Sequence, residues 1–269
     1  MTPVTYYEAV ANRMLPFLTG RLVSIEQRFR GGNVVYRRHE GRGADRRPIR
    51  IETAEEIVRW ARQHAVAFHA HIKPDGPGAW FFLDIDSRDL PTEMACLGIL
   101  HTVDLVEEQG LAYLVKFSGA DGFHLLWSMP DVDELGSDGL WAFEQAIVQA
   151  LADQVSRRLA ADPRARPIRD AVGPDGPLVT TNALREDPRE RKALLFDKLI
   201  LKPNANARVP FSLHPATGLS SVPLTRVELE TFTEVLAEPE RAVADRRNWA
   251  IPDNTLDKVK RALAMWEQA

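Results

Sequence analysis

The stretch Trp80-Phe81-Phe82-Leu83-Asp84-Ile85-Asp86 alternates two aspartates with apolar residues. On a strand, residues two apart share a face, so Asp84 and Asp86 project together while Leu83 and Ile85 enter the core. Two adjacent carboxylates repel, and one keeps its proton unless a cation sits between them. A hard ion such as Mg²⁺ or Mn²⁺ relieves that repulsion, completing its shell with substrate phosphates. Taken alone, an Asp-x-Asp strand end can equally cap the following turn, here Asp86-Ser87.

Two further segments carry compatible chemistry. In Lys116-Phe-Ser118-Gly119-Ala-Asp121-Gly122-Phe-His124, two glycines let backbone amides approach an anion, flanked by Ser118 and His124 as donors. The spacing is neither a P-loop nor a nucleophile elbow; a plain hairpin turn with a core histidine is the alternative. Asp197 follows the apolar run Leu194-Leu195-Phe196, where an unpaired carboxylate is costly to bury. It could be a third metal ligand. Arg208, Ser212 and His214, close behind it, are all able to bind phosphate.

The elements that must position these groups read as follows. Helices are predicted over residues 4–18, 53–64, 91–109, 137–160, 225–237 and 254–268, the second opened by a Thr53/Glu56 capping box. The fourth takes Ser137 or Asp138 as its cap. Strands are predicted over 22–28, 33–37, 66–69, 80–86, 111–117, 123–129 and 193–201, with residues 163–177 as proline-rich loop. The mixture implies an α/β (α+β) fold with antiparallel pairing where connections are short.

Composition narrows the class. The 269 residues are 45% hydrophobic and 27% charged, which excludes disorder and fits a globular chain. One cysteine, Cys96, excludes a disulfide framework and a multi-cysteine zinc site. His69 and His71 form an i, i+2 pair on a strand, and a zinc pair there is a minor alternative. Neither a signal peptide nor a membrane-length apolar run is present, so the expected setting is cytoplasmic and nucleoid-associated, without membrane contact. The net charge is −4, yet nine arginines between Arg21 and Arg50 face only three acids. Arg28, Arg30, Arg37, Arg38 and Arg42 surround a hairpin and form a candidate DNA-binding surface; a solvated arginine-rich loop is the alternative.

In their order along the chain, the Asp84/Asp86 strand, the Ser-Gly-x-x-Gly-x-His loop and Asp197 resemble the archaeo-eukaryotic primase (primase-polymerase) superfamily. The chain is most similar to the polymerase domain of bacterial DNA ligase D and its stand-alone relatives. Tyr6-Tyr7, Met14 to Arg21, Val35-Tyr-Arg-Arg-His39, Ala67-Phe-His69 and Val209 to Leu224 also have counterparts there, so the resemblance spans roughly Tyr6 to Leu229.

The resemblance implies a primase-like catalytic core, with two Mg²⁺ or Mn²⁺ ions held by Asp84, Asp86 and Asp197, and no zinc. It implies nucleoside triphosphate (NTP or dNTP) contacts from Ser118, Gly119 and His124, with Lys116, His69 and Arg208 in the same nucleotide site. Asp121 departs from it, standing where ligase D often has a basic residue. The expected organisation is a single domain, 1–269: an N-terminal α/β segment (1–75) with the basic region, a core (76–230) and a helical end (231–269). The expected activity is template-directed nucleotide addition in DNA repair, end joining or priming, with end-joining or replication proteins acting in trans. A binding module that has lost catalysis is the alternative, although three intact aspartates facing DNA argue against it.

Overall fold

Two β-sheets present polar faces to a common cleft, and helices cover their apolar backs. The structure, a computed structural model, describes residues 1–29, 31–184 and 188–268. The chain begins with α1 (Pro3–Met14), where Thr2 and Thr5 form a reciprocal cap. Residues Leu15–Phe17 make a 3₁₀ turn. The helix predicted to reach residue 18 therefore stops at Met14, because Pro16 has no N–H to continue it. Strands β1 (Val23–Arg28) and β2 (Val34–Arg37) form an antiparallel hairpin, followed by the small ribbon β3 (His39–Glu40) and β4 (Arg47–Pro48). Helix α2 (Ala54–Arg62) starts at the predicted Thr53/Glu56 capping box.

Strands β5 (Ala65–His71) and β6 (Ala79–Asp86) precede α3 (Thr92–Glu108). Then come β7 (Leu114–Phe117), β8 (Gly122–Met129) and α4 (Gly136–Ala161). Helix α4 has no side-chain cap, and Ser137 and Asp138 fall inside its first turn rather than capping it. The stretch predicted as loop from 163 to 177 contains α5 (Arg166–Val172), since Pro167 sits where a helix tolerates it, in the first turn.

The remainder comprises β9 (Val179–Thr180), β10 (Leu194–Phe196), β11 (Asn206–Arg208) and β12 (Pro223–Leu224), then α6 (Arg226–Glu230), α7 (Pro239–Ala244) and α8 (Leu256–Gln268). The predicted helix over 225–237 is split: α6 ends before Thr231, and a separate 3₁₀ turn spans Glu234–Ala237. Two β-branched threonines, Thr231 and Thr233, lie at the break.

The first sheet has the order β11-β5-β1-β2 and the second β12-β7-β8-β6-β10-β9. Every pairing is antiparallel except β9 with β10. Strand alternation sorts the second sheet. Phe81, Leu83, Ile85, Phe123, Leu125 and Trp127 are fully buried on the side that packs against α3 and α4, with Phe81 and Trp127 stacked at 4.1 Å. Each such side chain contributes roughly 1.5–3 kcal/mol by leaving water. The alternate residues, Asp84, Asp86, His124 and Lys116, therefore share the opposite face. No helix among the described residues is long and apolar enough to cross a membrane.

Candidate active site

The chemistry-bearing residues of the second sheet lie in a row across neighbouring strands. Lys116 on β7 faces His124 on β8, and His124 faces Asp84 on β6. Just beyond the end of β10, the backbone N–H of Asp197 donates to the Asp84 carbonyl at 3.0 Å. Asp197 thus sits directly across from Asp84, with Asp86 two residues along on the same face. The Asp197 carboxylate also accepts the Leu199 N–H at 2.9 Å, which turns the chain out of the strand.

Burial raises the pKa of Asp84, and the nearby Asp197 raises it further. Asp86 is raised in the same way by burial and by Asp84. Asp84 Oδ1 is buried with no hydrogen-bond partner. Close carboxylates held out of their ordinary range, one with an orphaned oxygen, form a donor set that fits a hard divalent cation. Among the described residues, no three His, Cys, Asp or Glu side chains converge tightly enough to hold a metal ion alone. Mg²⁺ and Mn²⁺ draw part of their shell from water and phosphate oxygens, so a few carboxylates are a set they can use.

The loop between β7 and β8 is held closed by Ser118. Its N–H donates to the Gly122 carbonyl at 2.9 Å, and its Oγ accepts from the Ala120 and Gly122 amides at 3.2 Å each. The Ser118 hydroxyl hydrogen remains available to a ligand. Gly119 has φ +98°, and a Cβ there would stand 2.8 Å from the His214 Cβ. A Cβ on Gly122 would fall 2.4 Å from the Ile85 carbonyl oxygen and 2.5 Å from Asp86 Oδ1. Both glycines are therefore required by close packing on the carboxylate strand and on the 214–219 loop.

The opposite wall comes from the first sheet, where Arg208 on β11 pairs with His69 on β5. Burial, then Arg208 and Lys116, push the His69 imidazole well below its usual pKa, so it is held neutral. Arg208 donates to the Leu213 carbonyl at 2.8 Å. Helix α1 anchors that loop from behind: Tyr6 donates to the Phe211 carbonyl at 2.9 Å, and Tyr7 accepts the Leu213 N–H at 3.0 Å. Ser212, phosphate-capable by type, is fully buried and accepts the Phe68 N–H at 2.8 Å, so it supports β5 instead.

Together these elements enclose a cleft of about 310 Å³. It is lined by His69, Asp84, Asp86, Ser118, His124, Arg208 and His214 from the sequence reading, and by Phe82, Ala120, Asp121, Ile200 and Asn206. Phe82 was legible as the same-face neighbour of Asp84, and its ring leans on His124 at 4.7 Å. Asn206 depends on the pairing of β11 with β5, which has no local sequence signal. Asp121 brings negative charge beside both aspartates. Lys116 does not line the cleft: it is fully buried behind His124.

The arginines divide between structural and free positions. Arg28 is exposed and donates to the Pro215 carbonyl at 2.7 Å, while Arg37 donates to Gln27 Oε1 at 2.8 Å. Arg38 and Arg42 are exposed. Arg30 lies outside the described residues. Pairing places Arg37 opposite core-facing Ile25, and Tyr36 opposite Glu26 on the other face. Strand alternation therefore puts Arg38 on the Tyr36 side, where the Tyr36 ring is 6.2 Å from His69.

The family model described as LigD, primase-polymerase domain, matches residues 3–246. Among solved structures, the polymerase domain of Mycobacterium tuberculosis ligase D in complex with DNA superimposes with a TM-score of 0.64 at 18% identity, covering 90% of this chain and 86% of that one. No curated protein matches.

Proposed function

The chain belongs to the LigD primase-polymerase domain family, and from that premise we propose that it is a template-directed nucleotidyltransferase extending a DNA 3′-hydroxyl. The observation that carries this reading is the file of Asp197, Asp84 and His124 across adjacent strands, of which Asp84 and His124 line one cleft with Arg208 and His69. Asp84, Asp86 and Asp197 would hold two Mg²⁺ or Mn²⁺ ions. When bound, the metal lowers the pKa of the attacking hydroxyl and neutralises charge on the triphosphate and leaving pyrophosphate.

The chain's own groups then bind and orient. The Arg208 guanidinium, the His124 Nε2–H and the Ser118 hydroxyl supply donors to phosphate oxygens, the first with charge assistance. Burial, Lys116 and Arg208 keep His124 well below its usual pKa, so it acts as a neutral donor. Phe82 and Ile200 give the cleft an apolar wall beside those donors. Exposed Arg38 and Arg42, with Arg28, would follow the template or primer phosphates. That the similar ligase D structure is a DNA complex supports this partner. The synthesis would serve end joining, repair or priming.

Mg²⁺- or Mn²⁺-dependent synthesis on primed and unprimed templates, with ribo- and deoxyribonucleotides compared, tests the proposal. Metal-dependent incorporation that disappears in Asp84→Asn is expected. DNA binding with no incorporation under any of these conditions would favour a recruiting module and overturn it.

A further inference from the structure

Lys116 is a charged residue of the phosphate-loop motif that makes no contact with substrate in the proposed reaction. Its side chain is fully buried, an expensive position for an ammonium group unless its hydrogen bonds are satisfied. It makes two contacts: Nζ lies 2.5 Å from His124 Nδ1 and donates to Ser221 Oγ at 2.7 Å. The Ser221 hydroxyl donates its own hydrogen to the Phe117 carbonyl at 2.8 Å, so its oxygen lone pairs are turned to the lysine. On the far side of the imidazole, His124 Nε2 stands 3.2 Å from Asp84 Oδ1, an oxygen left without an aligned hydrogen bond.

We infer that Lys116 is a positioning residue that donates to His124 Nδ1 and so fixes the Nε2–H tautomer, aiming that hydrogen into the cleft. A neutral imidazole has one donor and one acceptor nitrogen, and the partner of one fixes the role of the other. An ammonium group has donors only, so the ring nitrogen it meets must be the acceptor, and the opposite tautomer would set N–H against N–H there and a bare lone pair against incoming phosphate oxygens. The strand register makes the arrangement rigid, because Lys116, His124 and Asp84 are direct neighbours on β7, β8 and β6. The value of this orientation for nucleotide binding rests on the proposed function; the tautomer itself does not.

The experiment uses the full chain labelled with ¹⁵N-histidine, read by long-range ¹H–¹⁵N correlation, and α,β-methylene-dATP as the binding probe. The wild-type His124 signal is expected to show Nε2 protonated and Nδ1 bare. Lys116→Met, close in length but without a donor, should lose that preference and weaken probe binding about tenfold, while Lys116→Gln, which keeps an N–H donor, recovers part of both. In a His124→Ala background, Lys116→Met should cost no further affinity. A wild-type His124 carrying Nδ1–H, or an equal loss of affinity in the His124→Ala background, overturns the assignment. Should Lys116→Met not fold, Ser221→Ala, which releases the lysine from its anchor, must shift the tautomer in the same direction, and an unchanged spectrum counts against the inference. A wild-type protein that fails to bind the probe refutes the nucleotide reading of the cleft separately, since the spectrum still decides the tautomer.

Discussion

Asp197 and Asp84 are joined by a backbone hydrogen bond of 3.0 Å, from the N–H of the first to the carbonyl of the second. The bond extends the β10–β6 ladder by one position beyond the last regular pair. It brings two carboxylates from distant parts of the sequence to the same end of the sheet. Asp197 raises the cost of ionising Asp84, and the proposed cations would relieve that repulsion.

The first prediction follows from that repulsion. Burial and mutual proximity raise the folded-state pKa of Asp84 and Asp86 above the unfolded value. A carboxyl with a raised folded pKa takes up protons on folding, so stability falls as pH climbs from the unfolded toward the folded value. In metal-free buffer, Asp84→Asn should therefore melt higher than wild type at pH 8, with the gap closing near pH 4. Each kcal/mol relieved corresponds to roughly 2–4 °C in Tm for a chain of this size. The same variant should lose metal-dependent synthesis while binding DNA normally. Calorimetry at both pH values tests the first part, and no rise at pH 8 would contradict it.

A second prediction concerns Gly119. Its φ of +98° is strained for any side chain, and a Cβ would press on His214 at 2.8 Å. Gly119→Ala should cost about 1–3 kcal/mol of backbone strain, taken up partly by displacing the 214–219 loop. Thermal unfolding should show the loss. Nucleoside triphosphate affinity should fall with it, because His214 and Ser118 line the same cleft. A variant as stable as wild type would mean the loop relaxes freely.

Ser118 yields a third. Its Oγ accepts two amides of its own loop, so Ser118→Ala leaves the Ala120 and Gly122 N–H groups without that partner. The variant should weaken triphosphate binding by about 1–3 kcal/mol with DNA affinity little changed. Isothermal titration with each ligand separates the two. A fall in DNA affinity alone would place the loop on the template path.

What the sequence disclosed was whatever has a local signature. Strand period two placed Asp84, Asp86 and Phe82 on one face, and the Thr53/Glu56 box marked the start of α2. What it hid depends on partners distant in the chain. Arg208 meets His69 only because β11 pairs with β5, and His214 reaches Gly119 only because its loop folds back over 118–122. The family resemblance puts Lys116 in the nucleotide site, yet its partner on β8 is close enough to absorb it. Short elements also misled, as in residues 163–177, where prolines suggested loop but Pro167 lies within the first turn of α5. Residue type fixed the chemistry on offer, while pairing decided who delivers it.

The last prediction separates two adjacent arginines. Arg37 lies opposite Ile25 and is tied to Gln27 Oε1 at 2.8 Å, so its guanidinium already has a partner within the hairpin. Arg38 is exposed and close enough to His71 to depress that imidazole's pKa, behind the larger effect of burial, which puts it on the cleft side of the first sheet. A phosphate contact releases condensed counterions, and each adds about 0.9 to the slope of log affinity against log salt on B-form DNA. Arg38→Ala should therefore flatten that slope by about one unit and weaken binding equally across DNA sequences, since phosphate contacts carry no base information. Arg37→Ala should leave the slope nearly unchanged and instead lower Tm slightly, through loss of its bond to Gln27. Alanine is the right replacement because a reversed charge would repel DNA from any position. Fluorescence anisotropy over a salt series measures both slopes. Equal slopes for Arg38→Ala and wild type would remove Arg38 from the DNA path and leave the arginine-rich hairpin as a solvated surface.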